Sequence, residues 1–311
     1  IVSVSDGAAL EPDEHKEFRS LLCSLLWVCQ TRIDIAHDVV ELQSNMVTPR
    51  MEHFRSVNGL LKRARSTMEL NGLHFKYLQF PLRICSIADC GHATKKSCYP
   101  YEGKLVLIME DKTDQINTEE WLESRHRHLL EGYGHPIYFS ARKATRISHS
   151  TSHAETLSAV GCTQTAALVS HRMTEVFAQT LLNKQRYTPT DLLSLQERGM
   201  SILPVDHVTD CMDLFELMCN SKGLSSDKSQ RVAILALRED RMSGRLRWVA
   251  HFPTAAMIAD GLTKSGVFLQ LMRFVTSGLI LLPLKPEQFI RLRRRVARSE
   301  FTENELIELD W

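Results

Sequence analysis

Four carboxylates stand where core elements are predicted to end or begin. Asp89 closes a short apolar run in Ile87-Ala88-Asp89, and Asp210 closes another in Val208-Thr209-Asp210. Glu155 lies in the first turn of a predicted long helix, in Ser152-His153-Ala154-Glu155, and Asp260 lies early in a predicted final helix, in Ala259-Asp260-Gly261-Leu262-Thr263-Lys264. Taken singly, an Asp at a strand end is usually a turn former, and a Glu in a first helical turn complements the helix dipole. Adjacent strands of one sheet can nevertheless bring the first and third acids together, and flanking helices can deliver the other two. Such a convergence needs cations, because two unit charges about 4 Å apart repel by roughly 1 kcal/mol in water and about 4 kcal/mol at an effective dielectric near 20. Mg²⁺ (or Mn²⁺) with oxygen ligands removes that repulsion, and Mg²⁺ prefers a few carboxylates plus substrate phosphate oxygens. Two such ions about 3.5–4 Å apart activate a water and stabilise the leaving oxygen in an in-line displacement at phosphorus. Phosphodiester hydrolysis is therefore the chemistry these residues predict if they meet.

The elements that must position them can be read from periodicity. Leu21, Leu22, Leu25, Leu26, Ile35, Val39, Leu42 and Met46 fall near three- and four-residue spacings, giving amphipathic helix up to Pro49. A second helix follows through Phe54, Val57, Leu60 and Leu61, with Arg55, Lys62, Arg63 and Arg65 on a polar face that is either solvated or aimed at phosphates. From Leu82 the period shortens. Leu82–Ile87, Leu105–Ile108 and Ile137–Phe139 read as three strands. A polar insertion over 111–134, with a helical stretch from Trp121 to Leu130, separates the second from the third. A long helix is expected from Ser152 or His153 to about Leu182, then a strand over Ile202–Thr209, helices over Met212–Cys219 and Lys228–Asp240, and a strand over Leu246–Phe252. One last helix, capped by Thr254, is expected to run through Met257, Ile258, Leu262, Phe268, Leu271 and Phe274. This order predicts an α/β fold with one mixed sheet flanked by helices.

Composition sets further bounds. A 43% hydrophobic content over 311 residues supports a packed core, and a net charge of +1 excludes nucleic-acid binding by bulk charge, leaving local patches. No run approaches the roughly 18 apolar residues of a membrane span, and the start at Ile1 lacks a secretory pattern, so an intracellular piece of something longer is expected. The eight cysteines contain no C-x-x-C pair, which predicts reduced core thiols and not a zinc site. Arg291, Arg293, Arg294, Arg295 and Arg298, followed by Glu300 to Asp310, read as a charged tail.

The motifs around the four acids resemble the C-terminal part of a copia-type long-terminal-repeat retrotransposon Pol polyprotein. Glu17–Leu26 followed by Thr31-Arg32-Ile33-Asp34-Ile35 resembles the Y-R-S-L-x-G-S-L-x-Y and T-R-P-D-I signature that closes its reverse transcriptase region, and His53–Thr67 resembles the helix after it. Ala88-Asp89 matches S-D-A-D-W-A, Ser150–Glu155 matches S-S-T-E-A-E, Asp210 matches D-N-x-x-A-I, and Ala259–Lys264 matches A-D-x-L-T-K. The similarity spans roughly residues 17 to 282. It implies a helical segment over 1–75 from the end of the reverse transcriptase region, a ribonuclease H-like domain with a five-stranded mixed sheet over 76–283, and the charged tail over 284–311. It also implies an endoribonuclease cutting the RNA strand of RNA–DNA hybrids, with Asp89, Glu155, Asp210 and Asp260 holding two Mg²⁺ ions. The expected partners are the hybrid and the rest of the polyprotein. The expected place is the cytoplasm, in a virus-like particle, or the nucleus.

Accessory residues follow from the same resemblance. Arg142 and Lys143 match a basic pair that could clamp hybrid phosphates, while Lys228 precedes and Arg231 lies within the counterpart of a basic T-K-H-I element, here Ser229-Gln230-Arg231-Val232. His251 stands where retroviral-type ribonucleases H carry a mobile histidine, although an ordinary strand-end histidine is the favoured account. Departures are also present: Gly91 and His92 replace an Asp and a Trp, Cys211 replaces an Asn, and Thr156 replaces a Tyr. They keep alive an alternative, a weakened or host-adopted domain that binds nucleic acid or protein without cutting. An integrase-like domain is disfavoured, because its three acids run Asp, Asp, Glu while these run Asp, Glu, Asp, Asp. The Tyr-x-Asp-Asp of a polymerase is absent from the sequence.

Overall fold

The computed structural model describes residues 5–91, 99–112, 131–182, 203–219, 223–266 and 268–280, with residues 188, 190, 191, 193, 194 and 201 between the third and fourth of these stretches. The expected helix over Trp121–Leu130, the tail over 284–311, His92 and Cys98 lie outside the described residues.

The chain opens with helices α1 (Pro12–Val28), α2 (Ala36–Gln43) and α3 (Met51–Ser66). Proline at the first position of α1 loses no helical hydrogen bond, and the Glu14 carboxylate accepts from the Glu11 N–H at 2.9 Å, closing the first turn. Between α1 and α2 the Thr31–Ile35 segment forms a lock. The buried Arg32 guanidinium donates to both Asp34 oxygens at 2.8 Å, to the Ala64 carbonyl at 2.8 Å and to Thr67 Oγ1 at 2.6 Å. The Thr31–Ile35 segment therefore pins the end of α3. On the polar face of α3, Arg55 and Arg63 pair with Asp6 and Asp38 within the chain.

Six strands follow: β1 (Leu82–Gly91), β2 (Tyr101–Glu110), β3 (Gly132–Lys143), β4 (Val205–Thr209), β5 (Trp248–His251) and β6 (Leu279–Ile280). They form one mixed sheet in the order β5-β4-β1-β2-β3-β6, in which β1–β2, β2–β3 and β3–β6 are antiparallel and β1–β4 and β4–β5 are parallel. The expected five strands thus gain a sixth of two residues. The fourth begins at Val205, later than Ile202. All ten residues of β1 are buried, as befits a strand paired on both edges and covered on both faces. Parallel pairing of β1 with β4 requires a crossover, supplied by the 32-residue α4 (Thr151–Leu182). Helices α5 (Met212–Met218) and α6 (Lys228–Met242) make the crossover from β4 to β5.

Alternation along β1 divides the core. Ile84 and Ala88 face a cluster with Val106, Ala159, Cys162, Leu214 and Ile234, beneath α4, α5 and α6. Cys85 and Ile87 face the other cluster, with Leu105 and Leu107, and this one also contains Phe18, Leu22, Leu25, Ile35, Val39, Val57 and Leu60. The first three helices therefore dock on the sheet and bury its second face. The seven described cysteines are free thiols, four of them buried. No helix among the described residues is long and apolar enough to cross a membrane.

The single last helix is a correction. The segment forms a 3₁₀ turn at Thr254–Ala256, a four-residue α7 (Asp260–Thr263) and α8 (Leu269–Ser277). Lys264 is extended (φ −131°, ψ 144°) and Gly266 has φ +132°, a conformation open to glycine and strained for other residues. Helical spacing persists across the breaks because Met257, Ile258, Leu262, Leu271 and Phe274 all point into the same cluster.

One core residue makes folding pH-dependent. His207 on β4 is fully buried, with Nδ1 2.9 Å from Ser86 Oγ and Nε2 without a hydrogen-bond partner among the described residues. Burial pushes its pKa down to about 4. Since the folded value lies below the unfolded one, near 6.5, the stability present above pH 6.5 is lost as pH falls toward 4, by about 2 to 3 kcal/mol. Urea unfolding at pH 7.5 and 4.5 should show the wild type losing that much more than His207→Gln. Other titrating groups are common to both proteins and cancel in the difference, so equal losses would sink the idea.

Candidate active site

β1 and β4 run parallel as neighbours, so residues at their C-terminal ends emerge at the same edge of the sheet. Asp89 lies on β1, 1% exposed, and Asp210 follows Thr209, the last residue of β4. α4 crosses beside them, and Glu155, its fifth residue, is tied to β1 by a hydrogen bond from the Cys90 N–H to Oε1 at 3.2 Å. One turn on, Ser158 Oγ donates to the Asp89 carbonyl at 3.1 Å. Asp89, Glu155 and Asp210 each offer a carboxylate oxygen, and these atoms all lie within 4.8 Å of one another.

Asp260, the first residue of α7, stands beside this trio. Lys264 Nζ pairs with Asp260 Oδ1 and lies 3.6 Å from Asp89 Oδ2, while Thr263 Oγ1 donates to Asp89 Oδ2. α7 can approach this closely because β1 and β2 present glycines to it. A Cβ on Gly103 would meet Thr263 Cγ2 at 2.7 Å and Leu262 Cβ at 2.8 Å, and one on Gly91 would meet the Thr263 carbonyl oxygen at 2.7 Å. Gly91 is the position where the resemblance expects a second Asp, so this departure fits the local packing.

The electrostatics are those of crowded acids. Burial, then Asp89 and Asp210, raise the Glu155 carboxyl well above the usual range. Burial, then Asp89, raise Asp210. Burial and Asp89 push Asp260 up to about 7 against the opposing pull of Lys264. Burial alone would lower the Lys264 ammonium, yet Asp89, Asp260 and Asp210 hold it above its ordinary value. Glu155 Oε2 is buried with no hydrogen-bond partner among the described residues. An orphaned carboxylate oxygen in an all-oxygen, hard donor set is what a divalent cation such as Mg²⁺ satisfies, so the residues present fit such an ion.

Thr263 and Lys264 reach the cluster and escaped the sequence reading as site residues. Their signal was there, three and four positions after Asp260, at the last residue of one short helix and just beyond it. Of the other expected residues, His251 contacts one of the acids, with Nε2 3.1 Å from the Asp210 carbonyl oxygen and its ring 5.9 Å from that of Phe215. Arg142 is exposed near the same end of the sheet but is held by Glu102 at 2.8 Å, and Lys143 Nζ sits 5.8 Å from the centre of the Tyr99 ring. Lys228 is exposed at the start of α6, and Arg231 Nε donates to the Ser225 carbonyl at 3.0 Å. None of these four basic residues touches the acidic cluster through a described contact.

Mixed strand order, helices on both faces and acids gathered at the ends of β1 and β4 make this an α/β protein built on one mixed six-stranded sheet. No family model matches the sequence, and no curated protein matches it. Among solved structures, it is similar to RNase H1 from the halophilic archaeon Halobacterium salinarum, at 11% identity and a TM-score of 0.35, over 58% of this chain and 94% of that one. It is also similar to the N-terminal RNase H domain of a Mycobacterium tuberculosis protein solved as a fusion with maltose-binding protein, at 13% identity and a TM-score of 0.31, over 58% and 91%. An RNase H1 isolated from compost by a metagenomic approach gives 12% identity and a TM-score of 0.32, over 58% and 92%.

Proposed function

We propose that the chain is a metal-dependent endoribonuclease that cuts the RNA strand of RNA–DNA hybrids. The observation that carries this reading is the meeting of Asp89, Glu155 and Asp210 within 4.8 Å around an orphaned buried oxygen of Glu155. Asp89, Glu155 and Asp210 would hold divalent cations, with Asp260 completing the set. When bound, the cations supply an activated water and neutralise charge at the scissile phosphate. The chain's own work is to hold the carboxylates still: the Cys90 N–H fixes Glu155, and Thr263 fixes Asp89. Arg142, Lys143, Lys228 and Arg231 supply exposed or partly exposed positive charge for backbone phosphates. Recognition would rest on hybrid shape and 2′-hydroxyls, since phosphate contacts carry no base information. The motifs at Thr31–Ile35 and Ala259–Lys264 further support a place in a copia-type Pol polyprotein, with the remainder of that polyprotein as partner.

Incubation of the purified chain with a labelled hybrid in Mg²⁺, in Mn²⁺ and in chelator, alongside Asp210→Asn, tests the reading. The expected result is metal-dependent loss of the RNA strand that disappears in the variant. A folded wild type that leaves the hybrid intact in both metals would sink it and favour a binding module.

A further inference from the structure

The acidic cluster explains what Glu155 would do, but not what keeps its helix turn in place. We infer that Gln230, a buried residue in the first turn of α6, is a positioning residue for Glu155. The inference rests on the metal-binding reading above and adds a residue that the reading does not contain.

Gln230 is 4% exposed, although a carboxamide near a helix start is ordinarily solvated. Its Nε2 donates to Ser152 Oγ at 2.8 Å and to Thr156 Oγ1 at 3.3 Å, residues three before and one after Glu155 on α4. Its Oε1 accepts from Ser225 Oγ at 2.7 Å. Every proton in this knot has a place. Ser152 gives its hydroxyl proton to Asp213 at the start of α5, and Thr156 gives its own to the Ser152 carbonyl at 2.7 Å. Both hydroxyl oxygens are thereby left as acceptors, and a carboxamide has two amide protons to meet them. No other side chain of this length makes the same three bonds: Glu has no amide protons, Lys cannot accept from Ser225, and Leu does neither.

The knot also joins three helices at one point. Asp213 belongs to α5, Gln230 to α6 and the two hydroxyls to α4. Beside it, His153 Nε2 lies 3.2 Å from Ser229 Oγ, a second tie between α4 and α6. Thr156 is fully buried, so its hydroxyl cannot pair with water instead, while Ser152 is partly exposed. Removing a group bonded directly to a ligand typically lowers metal affinity about 10- to 100-fold. Gln230 acts one step further out, through the turn that carries Glu155, so the lower end of that range is the expected effect.

The test measures Mn²⁺ binding to the full chain without substrate, by electron paramagnetic resonance of free Mn²⁺, for the wild type, Gln230→Leu, Gln230→Glu, Thr156→Val and Ile234→Val. Gln230→Leu and Gln230→Glu should raise the Mn²⁺ Kd about tenfold or more, and Thr156→Val, which removes one acceptor, about threefold. Ile234→Val, in the core of the same helix, should weaken the fold while leaving Kd within about twofold, which separates positioning from general loosening. Thermal unfolding of each variant shows that it is folded at the temperature of the assay, and Thr156→Val decides the matter if the Gln230 variants fail to fold. An unchanged Kd in folded variants overturns the inference alone. A wild type that binds no Mn²⁺ overturns the metal-binding reading, and this inference falls with it.

Discussion

Glu155→Gln should lower hybrid cleavage by at least about a hundredfold and make the metal-free protein more stable. The lower bound on activity follows because loss of a group merely supporting a ligand already lowers metal affinity or activity about 10- to 100-fold, and under the proposed function a ligand itself is lost. The gain in stability follows from the cluster. Without a cation, the Glu155 carboxyl is raised by burial and by Asp89 and Asp210, and one of its oxygens is buried without a partner. Gln keeps the shape, removes one of three crowded charges, and offers amide protons to the two carboxylates that remain. Burying a group unsatisfied costs about 1–3 kcal/mol, which sets the size of the expected gain.

The pH dependence has a definite sign. A carboxyl whose folded pKa is raised contributes stability below its unfolded value, and that contribution disappears as pH rises through the folded one. For Asp260, pushed up to about 7, the window runs from about pH 4 to 7. The metal-free wild type should therefore become more stable through this group as pH falls across that window, and Glu155→Gln should show a shallower gain. Mg²⁺ should raise the melting temperature of the wild type by mass action and affect the variant less. A Glu155→Gln protein that still cleaves, or that melts lower than the wild type without metal, would remove Glu155 from the centre.

How far the sequence could be read depended on whether the signal was local. Asp89 and Asp210 were legible because each follows an apolar run, and parallel pairing of β1 with β4 does the rest. Asp260 and Lys264 sit in one hexapeptide. The first helices showed which face they bury, but not against what. An amphipathic stripe carries no address, and only the shared cluster of Leu22, Val39 and Val57 with Ile87 and Leu107 supplies it. The final helix was misread because burial keeps helical spacing across a break that the backbone makes at Lys264 and Gly266. Gln230 was passed over for the opposite reason: a polar residue at a helix start looks solvated, and its partners lie 74 and 78 residues away. Arg83 and Asp206, polar residues inside apolar strands, gave no hint of each other across 123 residues.

That last pair sets the second large effect, which concerns stability and not catalysis. Asp206, on β4 and 3% exposed, accepts from Arg83 Nη1 at 3.1 Å and from Arg247 Nε and Nη2 at 3.0 and 2.7 Å. Arg83, on β1 and 2% exposed, has otherwise a hydrogen bond to the Glu110 carbonyl at 3.2 Å. Arg247 is held a second time by Asp111 at 2.6 Å, and the two carboxylates keep its guanidinium above its usual range although burial opposes this. Asp206→Ala would leave the Arg83 charge buried without its counter-ion, and breaking a buried pair in this way costs about 3–5 kcal/mol. The urea midpoint should fall accordingly, with the slope of the transition unchanged. Arg83→Met with Asp206→Leu removes both charges and fills the space, so the double variant should recover most of the loss. Cleavage per folded molecule should be unaffected in either protein, because Asp206 precedes Asp210 by four residues, about 13 Å along a strand. Loss of activity without loss of stability in Asp206→Ala would mean that the network reaches the carboxylates after all. A loss of stability below about 1 kcal/mol would mean that water replaces Asp206 at Arg83, and that the sheet is held at this end by packing alone.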